Sequence, residues 1–481
     1  MNVIHQLSVY DIPEFTPANK DFTVKVRSKD GPWKTLLCYN VMIDMHQVRN
    51  ASMVYFDFVG EVEVEIISNA ESVSSVAIRP LSYNISYTRQ DNTIRFILNS
   101  PKNLSLEING DRYHNLHIFA GEIMKNEPDL QEFGILHIQP GTHSAVDLLN
   151  KFTEVDPITG KEPSTLYFAP GLHQVLPQGL LIPSNKKVYL AGGAVVLSAL
   201  ECHEVENVRI WGRGVLHQAR IGRDTPHGGI KINFSKNVQV SGITLVNPPY
   251  NSIHVGQSSN VMITDFKAFS CTGWSDGIDC LSSSNVEVDG VFMRNSDDCF
   301  TVYGSRFAYS GDSRNITLKN STLWADVAHP TFIGCHGDHE HGGDILEDIH
   351  FENIDILEHH EPQQEYLGCM AINAGDENIV RNVRYENIRV EPFENGRLFD
   401  LRVFFNAKYN PAPGKRIENI HFKDIVYNGL EEYPSQIIGF NEERMVDGVT
   451  LENVVIRGKK VTDVEAGNIF IGEHVGQVIF K

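Results

Sequence analysis

Beyond about residue 164 the chain repeats one short pattern, an Asn or Asp followed by an apolar, a variable and an apolar residue. It recurs at Asn207-Val208-Arg209-Ile210, Asn237-Val238-Gln239-Val240, Asn260-Val261-Met262-Ile263, Asn285-Val286-Glu287-Val288, Asn315-Ile316-Thr317-Leu318, Asp348-Ile349-His350-Phe351, Asn382-Val383-Arg384-Tyr385 and Asn419-Ile420-His421-Phe422. Successive starts differ by 30, 23, 25, 30, 33, 34 and 37 residues. A period in this range without helical patterning predicts stacked coils, each burying its apolar side against its neighbours. The leading Asn is expected to be a turn residue, and stacked copies could form an amide ladder. That reading keeps these Asn residues out of any catalytic site.

Residues 1–125 carry a different rhythm. Short alternating runs such as Phe22-Thr23-Val24-Lys25-Val26, Val62-Glu63-Val64-Glu65-Ile66 and Leu104-Ser105-Leu106-Glu107-Ile108 are separated by turn signals such as Lys29-Asp30-Gly31 and Asn109-Gly110-Asp111. Half-buried strands at this spacing predict an antiparallel β-sandwich. Packing against the second domain is its expected role, with carbohydrate binding as the alternative. The two domains are read as 1–125 and 126–481, with a linker in about 121–140. Ser144 followed by Ala145-Val146-Asp147-Leu148-Leu149-Asn150-Lys151-Phe152 predicts a short amphipathic helix covering the open first coil.

Composition narrows the partners. The chain has 481 residues and a net charge of −20, from 61 acidic and 41 basic side chains, a surface that repels phosphate backbones and anionic lipid. Nucleic acid and membrane partners are not expected. No apolar run approaches a membrane span, and Met1-Asn2-Val3-Ile4-His5-Gln6-Leu7 lacks the basic and apolar regions of a signal peptide. The seven cysteines, an odd number without C-x-x-C spacing, read as free buried thiols in a reducing compartment. The expected location is the cytoplasm, which favours an end-acting enzyme on oligosaccharides. A homodimer is compatible with such a surface.

The candidate chemistry lies between Gly273 and Ser305. Asp276, Asp279, Asp297 and Asp298 fall there, with one β-type run between the two acidic stretches. If that run is one coil, the stretches stack about 4.8 Å apart. Three crowded carboxylates suit glycosidic cleavage, in which one carboxyl stays protonated while another activates water. Their mutual repulsion would hold a proton on the cluster near neutral pH.

Ser275-Asp276-Gly277-Ile278-Asp279, Asn295-Ser296-Asp297-Asp298-Cys299 and Ala328-His329-Pro330-Thr331-Phe332-Ile333-Gly334 occur in an order that resembles the polygalacturonase family of glycoside hydrolases. The resemblance implies a right-handed parallel β-helix and hydrolysis with inversion. It implies Asp297 as general acid, Asp276 and Asp298 as holders of the attacking water, and His329 beside the acid. The family's R-I-K tripeptide, whose cations grip the uronate carboxylate, is missing: Gly368-Cys369-Met370-Ala371-Ile372-Asn373-Ala374-Gly375 holds no cation. An all-β segment ahead of such a β-helix is also similar in layout to the dextranase and isopullulanase family, which would make neutral α-glucans the substrate.

Around this core, His254 resembles the family position that lines the sugar groove, Asp279 is either a fourth acidic participant or a turn cap, and Tyr303 and His336 are expected to touch substrate. Tyr366 and Arg402 read as packing or surface residues. The stretch Cys335–Asp344, rich in His and carboxylates, admits a metal reading; its Gly-rich loop character favours hydroxyl binding, so neither metal nor cofactor is expected. Two other classes share the predicted fold. A polysaccharide lyase would need a basic residue in the acidic cluster, and a carbohydrate-binding solenoid would not need three placed carboxylates.

Overall fold

The computed structural model describes residues 5–225, 227–430 and 433–481; the first four residues of the N-terminal stretch read above lie outside them. From Ile135 onward the chain winds as a parallel β-helix with three walls. One wall stacks Ile135–Ile138, Thr165–Phe168, Lys187–Leu190, Glu206–Gly212, Lys236–Ser241, Ser259–Thr264 and Ser284–Asp289, all parallel. A second runs alongside it from Gly141–Ser144 to Phe292–Asn295. From Ser313–Ala325 onward single long strands serve both walls. The third wall is an eleven-stranded parallel sheet running from Leu180–Leu181 to Ile469–Ile471.

The repeated motif sets the register. Val208, Val238, Val261, Val286, Ile316, Ile349, Val383 and Ile420 face one another from coil to coil, and all lie in the continuous apolar core. The preceding Asn residues adopt positive φ, from +54° to +58°. This frees each amide to bond the next: Asn237 donates to Asn207, Asn260 to Asn237, Asn285 to Asn260 and Asn315 to Asn285, at 2.9–3.1 Å. A carboxylate accepts without donating. Asp348 accordingly accepts from Asn382 and starts a new segment of the ladder. A second ladder, from Asp289 through Asn320 and Asn353 to Asn387, has no counterpart in the sequence reading; its three Asn residues fall inside long strands.

The coils begin earlier than the repeat does. Ile135–Ile138 already pairs with Thr165–Phe168, without the Asn motif because there is no earlier coil to ladder with. The predicted helix forms at Ala145–Thr153; Ser144 caps it by accepting from the Asp147 amide. Its buried Ala145, Leu148 and Phe152 join the helical core at the first coil.

The ten N-terminal strands depart from the expected sandwich. Hydrogen bonds link them into one mostly antiparallel sheet. Arg49–Val59 bonds Lys34–Ile43 on one edge and Asp111–Glu122 on the other, which joins what would otherwise be two separate sheets. The sheet curls around its own core, including Val24, Phe56, Val64, Phe96, Leu106 and Ile118. Its other face, with Tyr39, Val41, Met53 and Phe119, packs on Val195, Val215, Phe269, Phe292 and Trp324 of the second wall.

Asn285 tests the ladder. Asn285→Ala removes two amide bonds and leaves a Cβ-bearing residue without side-chain support at φ +54°. It is expected to cost about 1–3 kcal/mol in denaturant unfolding, with Asn285→Gly costing measurably less. Equal losses would mean the left-handed turn carries no strain.

Candidate active site

The third wall builds the site by strict alternation. Ile253, Ile278, Phe300 and Thr331 stack in one inward row, and Val255, Cys280, Val302 and Ile333 in the next. Between them an outward row runs Lys231, His254, Asp279, Thr301, Phe332. Just before each strand the chain turns onto the same face. Ile278 pairs with Phe300 and Phe300 with Thr331, so two residues earlier Asp276, Asp298 and His329 fall in one column. Backbone bonds keep that column: Gly277 N donates to Asp298 O at 2.8 Å and Cys299 N to His329 O at 2.8 Å. Gly277 has no alternative, because a Cβ there would collide with the Cys299 carbonyl oxygen.

His329 bonds Asp298 rather than Asp297. Its Nδ1 lies 2.6 Å from Asp298 Oδ1, and its Nε2 2.6 Å from the Tyr366 carbonyl oxygen. A carbonyl oxygen only accepts, and a carboxylate does too; the geometry therefore fits an imidazolium donating on both sides. Burial opposes that charge, while Asp298 and Glu361 more than offset it and push the His329 pKa up to about 9. Tyr303 OH donates to the other Asp298 oxygen at 3.3 Å.

Asp297 has different surroundings. Its oxygens accept from the backbone amides of Trp274, at 2.7 Å, and Asp298, at 3.1 Å. Burial and the Asp298 charge outweigh those bonds and the His329 charge, and raise its pKa to about 7. Asp276 is pushed well up by burial and by Asp279, Asp297 and Asp298, and its Oδ1 has no hydrogen-bond partner among the described residues. Asp279 is held by Thr301 Oγ1 at 2.9 Å and by Asn251 Nδ2, with burial raising its pKa to about 6. Its place on the outward row makes it part of the cluster, not a turn cap.

The other sequence candidates gather around these carboxylates. His254 sits one coil before Asp279, its ring 5.2 Å from Tyr309, and its buried Nε2 is unpartnered among the described residues. His336 packs 5.1 Å from Tyr303. Burial first, then a nearby cation, lowers both histidines to about 3, so each offers a neutral imidazole. The stretch read for metal is occupied otherwise. Asp344 accepts from the amides of Ser305, at 2.6 Å, and Asp338, at 3.0 Å, while His341 pairs with Asp338 at the surface.

Four contributors were missed in the sequence. Tyr366, read as packing, positions His329 through its carbonyl. Trp274 gives Asp297 its amide, at φ +57° with its ring 72% exposed. Arg306 is a cation that acts on Asp276, Asp279 and His336, and on His254 after Lys231. Met45, on a turn of the N-terminal sheet, reaches Gly273. Only Arg306 left a trace, as the one basic residue just past the Asp pair.

The electrostatics predict a stability signature. Asp297 ordinarily titrates at 3.8 but at about 7 here, so the fold binds the extra proton. Its stabilisation is full below pH 3.8 and is lost as the pH rises to 7. Asp297→Asn, neutral throughout, is expected to be more stable than the parent by roughly 2–4 kcal/mol at pH 8 and nearly equal to it at about pH 3. Thermal unfolding at both pH values checks this, and equal midpoints at pH 8 would refute it.

The sequence and the fold have known relatives. The chain is similar to the polygalacturonase of Juniperus ashei, 27% identical over 208 residues, which are 42% of this chain and 38% of that protein. It is 25% identical over 240 residues to exopolygalacturonase B of Aspergillus niger, 47% of this chain and 52% of that one. The matches thus span about half or less of these relatives' length. Among solved structures, Dex49A from Penicillium minioluteum superposes with a TM-score of 0.67 at 16% identity, covering 100% of this chain and 96% of its own. The family 28 exopolygalacturonase of Yersinia enterocolitica gives 0.51 at 12% identity, covering 86% and 96%. These two likenesses speak for the fold alone. A family model matches residues 199–470, more than half the chain and all of the acidic site, and the chain belongs to glycosyl hydrolases family 28.

Proposed function

We propose that this protein is an inverting, polygalacturonase-like glycoside hydrolase working on a right-handed parallel β-helix. The observation that carries the reading is the division of labour between adjacent carboxyls. Asp297 keeps a proton up to about pH 7, while Asp298 is the partner of a protonated His329. In this mechanism Asp297 gives its proton to the glycosidic oxygen as the bond to the anomeric carbon breaks. A water held by Asp276 and Asp298 attacks that carbon from the opposite face and passes a proton to the carboxylate of Asp298, the one paired with His329. One proton leaves the cluster and one enters, so solvent exchange restores Asp297. Tyr303, His254, His336 and Asp279 bind the sugar beside it.

Two features support an end-acting enzyme on oligosaccharides. Met45 approaches Gly273, and the His46 ring lies 5.7 Å from His360, so a turn of the N-terminal sheet walls one side of the cluster. All seven cysteines are free and buried, which supports a reducing, cytoplasmic location where oligosaccharides are the available substrates.

Proton NMR of the first products formed from oligogalacturonides is the direct test of the stereochemistry. The inverted anomer is expected first, and the retained anomer would refute a water held between carboxylates. Asp297→Asn should lower kcat about 10³-fold. In the parent, kcat should fall on the alkaline side with an apparent pKa near 7, because the acid must be protonated. A rate that stays flat to pH 9 would take the acid role from Asp297.

A further inference from the structure

Arg306 opens a turn that folds back over earlier coils. Its amide donates to Tyr309 O at 3.1 Å and Tyr309 N returns a bond to Arg306 O at 3.0 Å. The turn is tied down at both ends, by Ser305 N on Asp344 and by Ser310 N on Gln257 Oε1 at 3.1 Å. The Tyr309 ring rests against His254. The guanidinium thereby sits 5.4 Å from the Tyr303 ring, whose hydroxyl bonds Asp298.

This cation has no anion of its own. Three other arginines of the helix that are mostly withdrawn from solvent hold carboxylates: Arg213 bonds Asp57 and Asp265, Arg294 bonds Asp326, and Arg402 bonds Asp400. Arg306 is close enough to act on Asp276 and Asp279. Among the described residues, however, no carboxylate lies within ion-pair distance of it, and its side chain donates no hydrogen bond. A planar fork of five donors held by an anchored turn beside a sugar-cleaving cluster matches a planar carboxylate. Next to it, Phe307 is 79% exposed at φ +57°, a conformation that bulky residues adopt at a cost. Its ring lies 4.6 Å from the Arg306 guanidinium. A chain of net charge −20 needs such a local cation to hold an anionic substrate.

We infer that Arg306 recognises the carboxylate of a uronate ring bound beside the Asp cluster, with Phe307 carrying an adjoining ring, so that uronate-containing chains and not neutral glucans are the substrate class. The inference rests on the hydrolase reading above. It replaces the missing tripeptide by a cation reached from the opposite direction along the helix. A neutral sugar would cover Arg306 without satisfying it, and leaving a buried charge unpaired discriminates strongly.

The test compares trigalacturonate, its carboxyl-reduced galactose equivalent and neutral α-gluco-oligosaccharides, using the parent protein, Arg306→Gln and Arg306→Lys. The parent should prefer trigalacturonate. Arg306→Gln should lower kcat/KM on it by about 100-fold and lower that of the carboxyl-reduced substrate by at least about tenfold less, the shared part reflecting the lost charge beside the Asp cluster, with Arg306→Lys between. Calorimetric titration of trigalacturonate into Asp297→Asn, with and without Arg306→Gln, reads recognition apart from turnover and should show the same loss. Equal losses on charged and reduced substrates, unchanged trigalacturonate kinetics, or a parent that prefers neutral glucans would each overturn the inference and leave the hydrolase standing. A parent that cleaves none of them would overturn the hydrolase reading and the inference with it. If Arg306→Gln fails to fold, Arg306→Lys keeps the charge and alters the fork, and full activity in that variant on trigalacturonate would count against bidentate recognition.

Discussion

The parallel register of the third wall is the constraint on which the site depends. Each coil offers one residue to each column, and the inward rows of Ile, Val, Cys and Phe tolerate no slip, since a shift by one would turn every core residue outward. Fixing those rows fixes the residues between and just before them. Asp276, Asp298 and His329 become neighbours because the core beneath them admits one alignment. The carboxylates are thus held together by apolar packing in spite of their repulsion, and that repulsion gives Asp276 and Asp297 their raised pKa values.

The N-terminal sheet secures the same scaffold from behind. Its contact with the second wall is apolar at the centre and pinned by buried arginines. Arg294, fully buried, holds Asp326 at 2.8 Å, Asn115 at 2.9 Å and the Arg112 carbonyl at 2.9 Å while lying over the Trp324 ring. Arg213 bridges Asp57 and Asp265, and Arg79 bridges Glu107 and Glu391. Each joins an N-terminal residue to a coil residue with its donors largely satisfied, the condition under which a buried charge is tolerated. Through Met45 and His46 the same sheet also reaches the rim of the acidic site.

Charge is distributed within the site by partner and not by residue type. Four aspartates share one surface, yet Asp298 has an imidazolium, Asp279 has a hydroxyl and an amide, Asp297 has two backbone amides, and Asp276 has an oxygen without a partner among the described residues. Neutral His254 and His336 and cationic Arg306 surround them. A surface of this kind can hold a proton and a base a few ångströms apart at one pH, which an isolated carboxyl pair in water cannot.

The sequence by itself determined the coils and the acidic series. The Asn-led motif is local and periodic, so Val208 through Ile420 could be aligned by spacing, and Asp276, Asp297 and Asp298 stood out by residue type. The N-terminal strands were legible too, but not their joining into one sheet, because strand pairing is set by partners far away in the chain. Tertiary structure alone decided that Asp298 and not Asp297 stacks beside Asp276, that His329 bonds Asp298 and the Tyr366 carbonyl, and that Arg306 swings back over His254. Coil length fixes which residues can meet, whereas the geometry of the turns between coils fixes which do.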